Sequence, residues 1–474
     1  MAHVRNLDGS IPEDESGMTR RETIANGAKL VIGAGIGAQI MAATGANTAI
    51  AQQTRQIAGR AANKPGYGPL VKTGPMKLPA GFTAIPFGAA DKTKMSDGLK
   101  TPNAHDGSAV FKAKNGRLTL IRNQELAGLG HSIGKENVYD RNAKGGVTRS
   151  LFDPSTGELV ASSLVLNGTD NNCNGGRTPW GSWLTCEEST VGKFKGYERE
   201  HGYVFEVPSD ATRPVDPKPI KAMGRFLHEA CALDPKTGII YMTEDNGPDG
   251  FYRYIPNNRR RLHQGGRLQM LCVRGRSKYD TVKGQTVGEK LPCEWVTIDD
   301  PDPEDAERHP DRVYQQGRAK GAARFMGLEG ANWGQGSVWF TASEAGDILA
   351  GQVWKYTPSK NLKHGTLELM FESTDRHVLD EPDGIVVSPR GGTVLCEDGD
   401  GEDGGTNFLR VLTPAGKIET FARNTTPMAI GKGEKGVTEW SGACYSPDGK
   451  WLFVNLYHPG LTYAITGPWE KGWL

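Results

Sequence analysis

A chain of 474 residues is long enough for two average domains or one large repeat fold. Lys and Arg number 56 against 55 Asp and Glu, a balance that excludes a polybasic surface for nucleic acid or an anionic membrane. The 63 glycines and 28 prolines point away from long helices and toward many short strands joined by turns.

The first segment is set apart from the rest. Arg20 and Arg21 precede a small, weakly apolar run over residues 28–51, which closes on Ala49-Ile50-Ala51 before Gln52. Twin arginines, a mild hydrophobic stretch and a small-residue cleavage site predict an export signal over residues 1–51. A membrane anchor calls for a more apolar stretch with less glycine. The signal predicts passage through the twin-arginine export machinery, a periplasmic or secreted destination, and no membrane span in the processed protein. That route carries folded proteins, often with a cofactor already loaded, so a bound metal is expected.

Residues 52–474 repeat one pattern. A turn glycine leads into a short strand of β-branched and aromatic residues that ends on an acid or amide. This occurs at 116–125, 181–188, 238–245, 336–344, 392–398 and 449–455. Turns such as DPKTG, SPRGG and SPDGK precede several copies. A second acid or amide lies seven to ten residues before each glycine: Asp106, Asn172 and Asn174, Glu229, Glu329, Glu381 and Asp383, and Glu439. Each unit therefore reads acid, strand, turn, strand, acid, with both acids at the end away from the turn. Radially arranged hairpins of this polarity gather their acids at one mouth of a central channel. The pattern predicts an all-β chain, a single six-bladed β-propeller over 52–474 acting as a monomer. The repeat spacing is 55 to 65 residues except between Gly238 and Gly336, which are 98 apart. That interval predicts a polar surface insertion around 256–324, with room for a seventh blade.

Carboxylates crowded into one channel repel unless cations or protons offset them. Oxygen ligands suit calcium, whereas a thiolate among carboxylates suits iron. The sulfur is expected from Cys186, which lies against Glu187 and Glu188 at an acidic strand end. Only one of two adjacent acids on an extended strand faces the channel, and Glu187 is the nearer. Cys396, Trp180 and Trp183 are expected to pack. No C-x-x-C pair occurs among the seven cysteines, which disfavours a zinc ribbon, and Cys272 with Cys293 is a candidate disulfide. Residues 397–405, EDGDGEDGG, read equally as a calcium loop or an acidic turn.

The blocks NNCNGGRTPWGSWLTCEES, GRFLHEA, YMTEDN, DEPDGI and EWSGACYSPDGKWLFVNLYHPGLTYAITGPW, in that order, resemble the PhoX alkaline phosphatase family. The resemblance implies a six-bladed propeller with iron (Fe3+) and calcium (Ca2+) around an oxo bridge, and hydrolysis of small phosphate monoesters outside the cytoplasm. It implies Cys186 as the sulfur between two irons and Glu244, Glu329 and Glu439 as carboxylate ligands. Glu187, Glu229, Asp245, Glu381, Asp383 and Asn455 are further ligand candidates. Arg177, Arg225 and Lys193 are candidates to hold phosphate oxygens, or else surface charges. The chain departs from the family pattern at Gln124, Gly327 and Gly384. Two other readings suit the same acids: a calcium-dependent propeller lactonase or esterase, and a non-catalytic propeller stiffened by calcium.

Overall fold

The computed structural model describes residues 64–474, apart from 65, 75, 400–406 and 431–433. The export signal lies outside the described residues, as does most of the acidic stretch at 397–405. No helix among the described residues is long and apolar enough to cross a membrane.

Each turn glycine starts the second strand of a hairpin whose first strand lines a central axis. The six inner strands are His105–Lys112, Asn172–Arg177, His228–Leu233, Leu328–Gly334, Pro382–Val387 and Trp440–Tyr445. Each packs against the next and the last against the first, so the ring is closed. The result is a six-bladed β-propeller, with Arg312–Ala319 the one α-helix among the described residues. The hairpin turns need left-handed backbone, which glycine adopts without strain; Gly181 sits at φ 93° and Gly238 at φ 78°.

Three sheets take in strands from outside the repeat, the fifth blade by pairing Met76–Pro79 with Ile418–Asn424. Thr83–Phe87 pairs with Leu461–Thr466, so a strand from the start of the fold completes the last blade. Lys290–Thr297 pairs with Gly266–Val273 on one side and Gly365–Glu372 on the other. It fuses blades three and four into one nine-stranded sheet. The long interval between repeats thus holds a staple and a short helix, and no seventh blade. The interval is less polar in place than it reads, because Leu268, Met270, Val313 and Tyr314 enter the core.

Apolar side chains between blades form the core. Tyr241, Phe251, Phe340, Trp354 and Tyr356 fill the wedge between blades three and four, with Phe251 stacked on Phe340 at 4.4 Å. Each such ring taken out of water contributes roughly 2–3 kcal/mol. All seven cysteines are buried and free. Cys272 and Cys293 are not a disulfide: their strands are adjacent, but Cys272 pairs with Glu294 and Val273 with Cys293. Alternation along the strands sends the two thiols to opposite faces and different cores.

Candidate metal centre

Every inner strand carries a bulge at the same place. Pairing slips between His105 and Ser108, Asn172 and Gly175, His228 and Cys231, Leu328 and Ala331, Pro382 and Ile385, and Ser441 and Cys444. In each case two inner residues stand opposite one partner residue, which kinks the strand and re-aims its side chains. The first bulged residues are Asp106, Cys173, Glu229, Glu329, Asp383 and Gly442. The second are Gly107, Asn174, Ala230, Gly330, Gly384 and Ala443. The second position is Gly or Ala in five of the six blades, where the neighbouring inner strand is close. A Cβ on Gly107 would lie 2.5 Å from Asn174 Cα. The sixth blade offers no side chain at the first position. Gly442 has φ 59°, and a Cβ there would stand 2.3 Å from the Asp106 carbonyl oxygen.

The bulges bring two overlapping groups together. Ligand atoms of Cys173, Glu188 and Glu229 lie within 4.8 Å of one another, as do those of Glu229, Glu329 and Asp383. All five residues are buried, and Glu229 belongs to both groups. Neighbours orient them. Asn171 Nδ2 donates to Glu188 Oε2 at 3.1 Å, and the Ser343 hydroxyl donates to Glu329 Oε1 at 2.9 Å. The Cys173 thiol donates to the His228 carbonyl at 3.1 Å. Burial, then Glu229, Glu188 and Glu125, push that thiol well above its usual pKa. Burial, then Asp398, Asp383, Glu125 and Asp106, do the same to Glu439. These acids therefore share one field, which without cations favours the protonated forms of Cys173 and Glu439. The donor sets fit metals. One thiol with two carboxylates suits iron, and the three-carboxylate group suits calcium.

Of the residues expected from sequence, Glu229, Glu329 and Asp383 come together here, with Glu439 in their field. Cys186 does not. It stands on the partner strand opposite the bulge, fully buried, with its Sγ 3.5 Å from Cys231 Sγ. Cys173, one strand further in, is the sulfur of the group. The two glutamates are also exchanged. Glu187 turns away and accepts from the backbone N–H of Asp170, Gly202 and Tyr203, and its Oε1 lies 2.6 Å from His201 Nδ1. The strand ends there, and the chain turns at Glu188 onto Asn171.

The remaining expected ligands stand outside both groups. Glu244 Oε2 accepts from Gly250 N and the Tyr252 hydroxyl, and burial raises its pKa. Asp245 is half-buried beyond the strand end, its backbone N–H bonded to Leu227. Glu381 accepts from Arg376 Nη1 at 2.9 Å. Asn455 serves the backbone: its Nδ2 donates to the Asp106 carbonyl at 2.8 Å, and its Oδ1 accepts from Thr462.

None of the three expected cations belongs to the acid groups. Arg225 is buried and donates to the carbonyls of His201 and Thr190 and to the Glu200 carboxylate. Lys193 is exposed on the wall of a separate surface cavity of 890 Å³. Arg177 ends its inner strand at the opposite mouth of the channel.

Sequence reasoning passed over Cys173, Glu188, Glu125 and Asp398. A signal for the first was present. His-Asp-Gly-Ser (105–108), Asn-Cys-Asn-Gly (172–175), His-Glu-Ala-Cys (228–231), Leu-Glu-Gly-Ala (328–331) and Pro-Asp-Gly-Ile (382–385) align as one motif, a ligand followed by a small or polar residue.

A family model described as alkaline phosphatase PhoX matches residues 155–460. No curated protein matches the chain. Among solved structures, PhoX of Pseudomonas fluorescens in complex with vanadate, a transition state analogue, is similar at a TM-score of 0.62 and 18% identity. That similarity covers 85% of this chain and 98% of that one. A calcium-binding regucalcin from Agrobacterium tumefaciens is more remote, at a TM-score of 0.41 and 10% identity over 82% of this chain and 95% of its own. A gluconolactonase from Xanthomonas campestris stands at 0.39 and 11%, over 85% and 98%.

Proposed function

The chain belongs to the PhoX alkaline phosphatase family and is a phosphatase, and from that premise we propose that it hydrolyses small phosphate monoesters at an iron and calcium centre after twin-arginine export. Family membership sets aside the lactonase and non-catalytic readings. The observation that carries the proposal is the sharing of Glu229 between a sulfur-containing group and an all-oxygen group. Cys173, Glu188 and Glu229 would hold iron; Glu229, Glu329 and Asp383 would hold calcium. Asp106, Glu125, Asp398 and Glu439 would balance further positive charge. When bound, the metals supply Lewis acidity and neutralise charge on the phosphoryl oxygens.

The chain's own residues prepare the site for that chemistry. Cys173 must give up its thiol proton before it can bind metal, and the surrounding acids oppose this until a cation arrives. Asn171 and Ser343 fix carboxylates that would otherwise splay apart. The bulges present Cys173, Glu229, Glu329 and Asp383 from four different blades, so the site is assembled by the closed ring. The vanadate complex of the Pseudomonas protein supports phosphoryl transfer as the reaction.

The test is elemental analysis of the exported protein together with p-nitrophenyl phosphate hydrolysis. Iron and calcium with hydrolysis are expected. Protein prepared with both metals available that holds neither would overturn the metal assignment, and loaded protein without hydrolysis would overturn the substrate class.

A further inference from the structure

The channel has a second mouth, and it differs chemically from the first. Beyond the bulges, the far halves of the inner strands enclose a cavity of 690 Å³ on the face opposite the acids. That volume is in the range of small-molecule sites. Three of its side chains offer uncommitted donors. Arg177 is exposed, with its guanidinium 5.0 Å from the centre of the Phe111 ring, and its side chain makes no hydrogen bond or ion pair among the described residues. Asn174 and Asn332 each commit the amide oxygen to a backbone N–H, of Gly175 at 3.0 Å and Val387 at 3.1 Å. Their NH₂ groups have no partner among the described residues. In the wall's carboxylate, Asp448, Oδ1 accepts from the Ser446 hydroxyl at 2.6 Å and the Lys450 N–H at 3.2 Å, and Oδ2 faces Lys450 Nζ at 3.9 Å.

Three free side-chain donors, one of them a guanidinium, complement an anion. Trp333 lies in the same wall and offers an apolar face beside those donors. We propose that this distal mouth binds a small organic oxyanion, a carboxylate or phosphate on an apolar body, with Arg177 as the charged anchor. Desolvation lowers the Arg177 pKa, with Cys444 acting against it, and a bound anion would offset that desolvation further. The site lies apart from the acid groups and does not depend on the phosphatase reading.

The test is calorimetric titration of the metal-loaded full chain with benzoate and, separately, with orthophosphate. Benzoate should bind saturably, and Arg177→Gln should weaken it about ten-fold or more, the loss expected for one charge-assisted bond. Asn332→Asp, which turns a donor into a negative acceptor, should weaken it likewise. Arg177→Lys should retain part of the affinity. Arg177→Gln should leave the hydrolysis of p-nitrophenyl phosphate unchanged in the absence of benzoate. Orthophosphate separates the sources: Arg177-dependent binding of orthophosphate as tight as that of benzoate would assign the site to the oxyanion alone and overturn the apolar body. No benzoate binding, or binding that survives both Arg177→Gln and Asn332→Asp within two-fold, would overturn the site.

Discussion

Asn171 and Glu188 are joined by three hydrogen bonds, one of them from the Asn171 amide to the Glu188 carbonyl at 3.1 Å. The Asn171 amide donates to Glu188 Oε2 at 3.1 Å, and the Glu188 N–H donates to the Asn171 carbonyl at 3.0 Å. Asn171 does this from left-handed backbone at φ 48°, a conformation that asparagine and aspartate tolerate better than other side chains. Asn171→Asp should therefore fold normally while replacing a donor with a second negative oxygen against Glu188. Metal affinity should fall about 10- to 100-fold, as for other residues that orient ligands. Chelator competition reads this directly, and unchanged affinity would remove Asn171 from the site.

The two cysteines of the central motif separate cleanly. Cys173→Ser should abolish iron binding and any visible thiolate-to-iron absorption. Cys186→Ala should keep both and lose roughly 1–2 kcal/mol of stability, from a small cavity in a packed core. Iron content and denaturant unfolding of the two variants distinguish a ligand from a packing residue. Iron lost from Cys186→Ala and kept in Cys173→Ser would reverse the assignment.

Gly442 is the point where the ring tolerates no side chain. Gly442→Ala places a methyl against the Asp106 carbonyl and the Asn455 amide on backbone at φ 59°. A loss of more than about 2 kcal/mol is expected from the strain and the displaced strand. Urea denaturation measures it. Gly336→Ala has positive φ but open space around it, and serves as the milder control.

His201 predicts how stability responds to alkali. Burial works against its charge, but Glu187 and Asp140 outweigh it and raise its pKa to about 10. A folded pKa above the unfolded one gives stability that is full below the unfolded value of 6.5 and is lost as pH rises through about 10. The free energy of unfolding, and the melting temperature with it, should thus fall between pH 6.5 and about 10, by on the order of a few kcal/mol. In His201→Gln this step should be absent while the protein is less stable at pH 7. A wild-type melting temperature flat across that range would refute the charged imidazole.

The propeller is legible in the sequence because turn glycines and strand-end acids recur at nearly constant spacing, and both have a local physical cause. The centre is only half legible. Counting alternation along a regular strand cannot see a bulge, which inserts one residue and re-aims its neighbours. Cys186 therefore looks inward from the sequence while Cys173 holds that place. Glu187 and Glu188 exchange roles because the strand ends between them. Proximity in sequence also misplaces cations. Arg177 is only four residues from Cys173, yet four extended residues span about 13 Å, enough to put it at the other end of the channel.

The strand Thr83–Phe87 sets an order of events. Phe87 pairs with Thr462, and 462 − 87 places them 375 residues apart. Contacts at such separation form late, because most of the chain must already be arranged before they can be made. During synthesis this early strand must wait, unpaired, until nearly the last residues have left the ribosome. A chain cut short at its C-terminus can never lock its ring. An export route that accepts only folded cargo would then pass finished molecules alone, and closure of the last blade would act as the proofreading step.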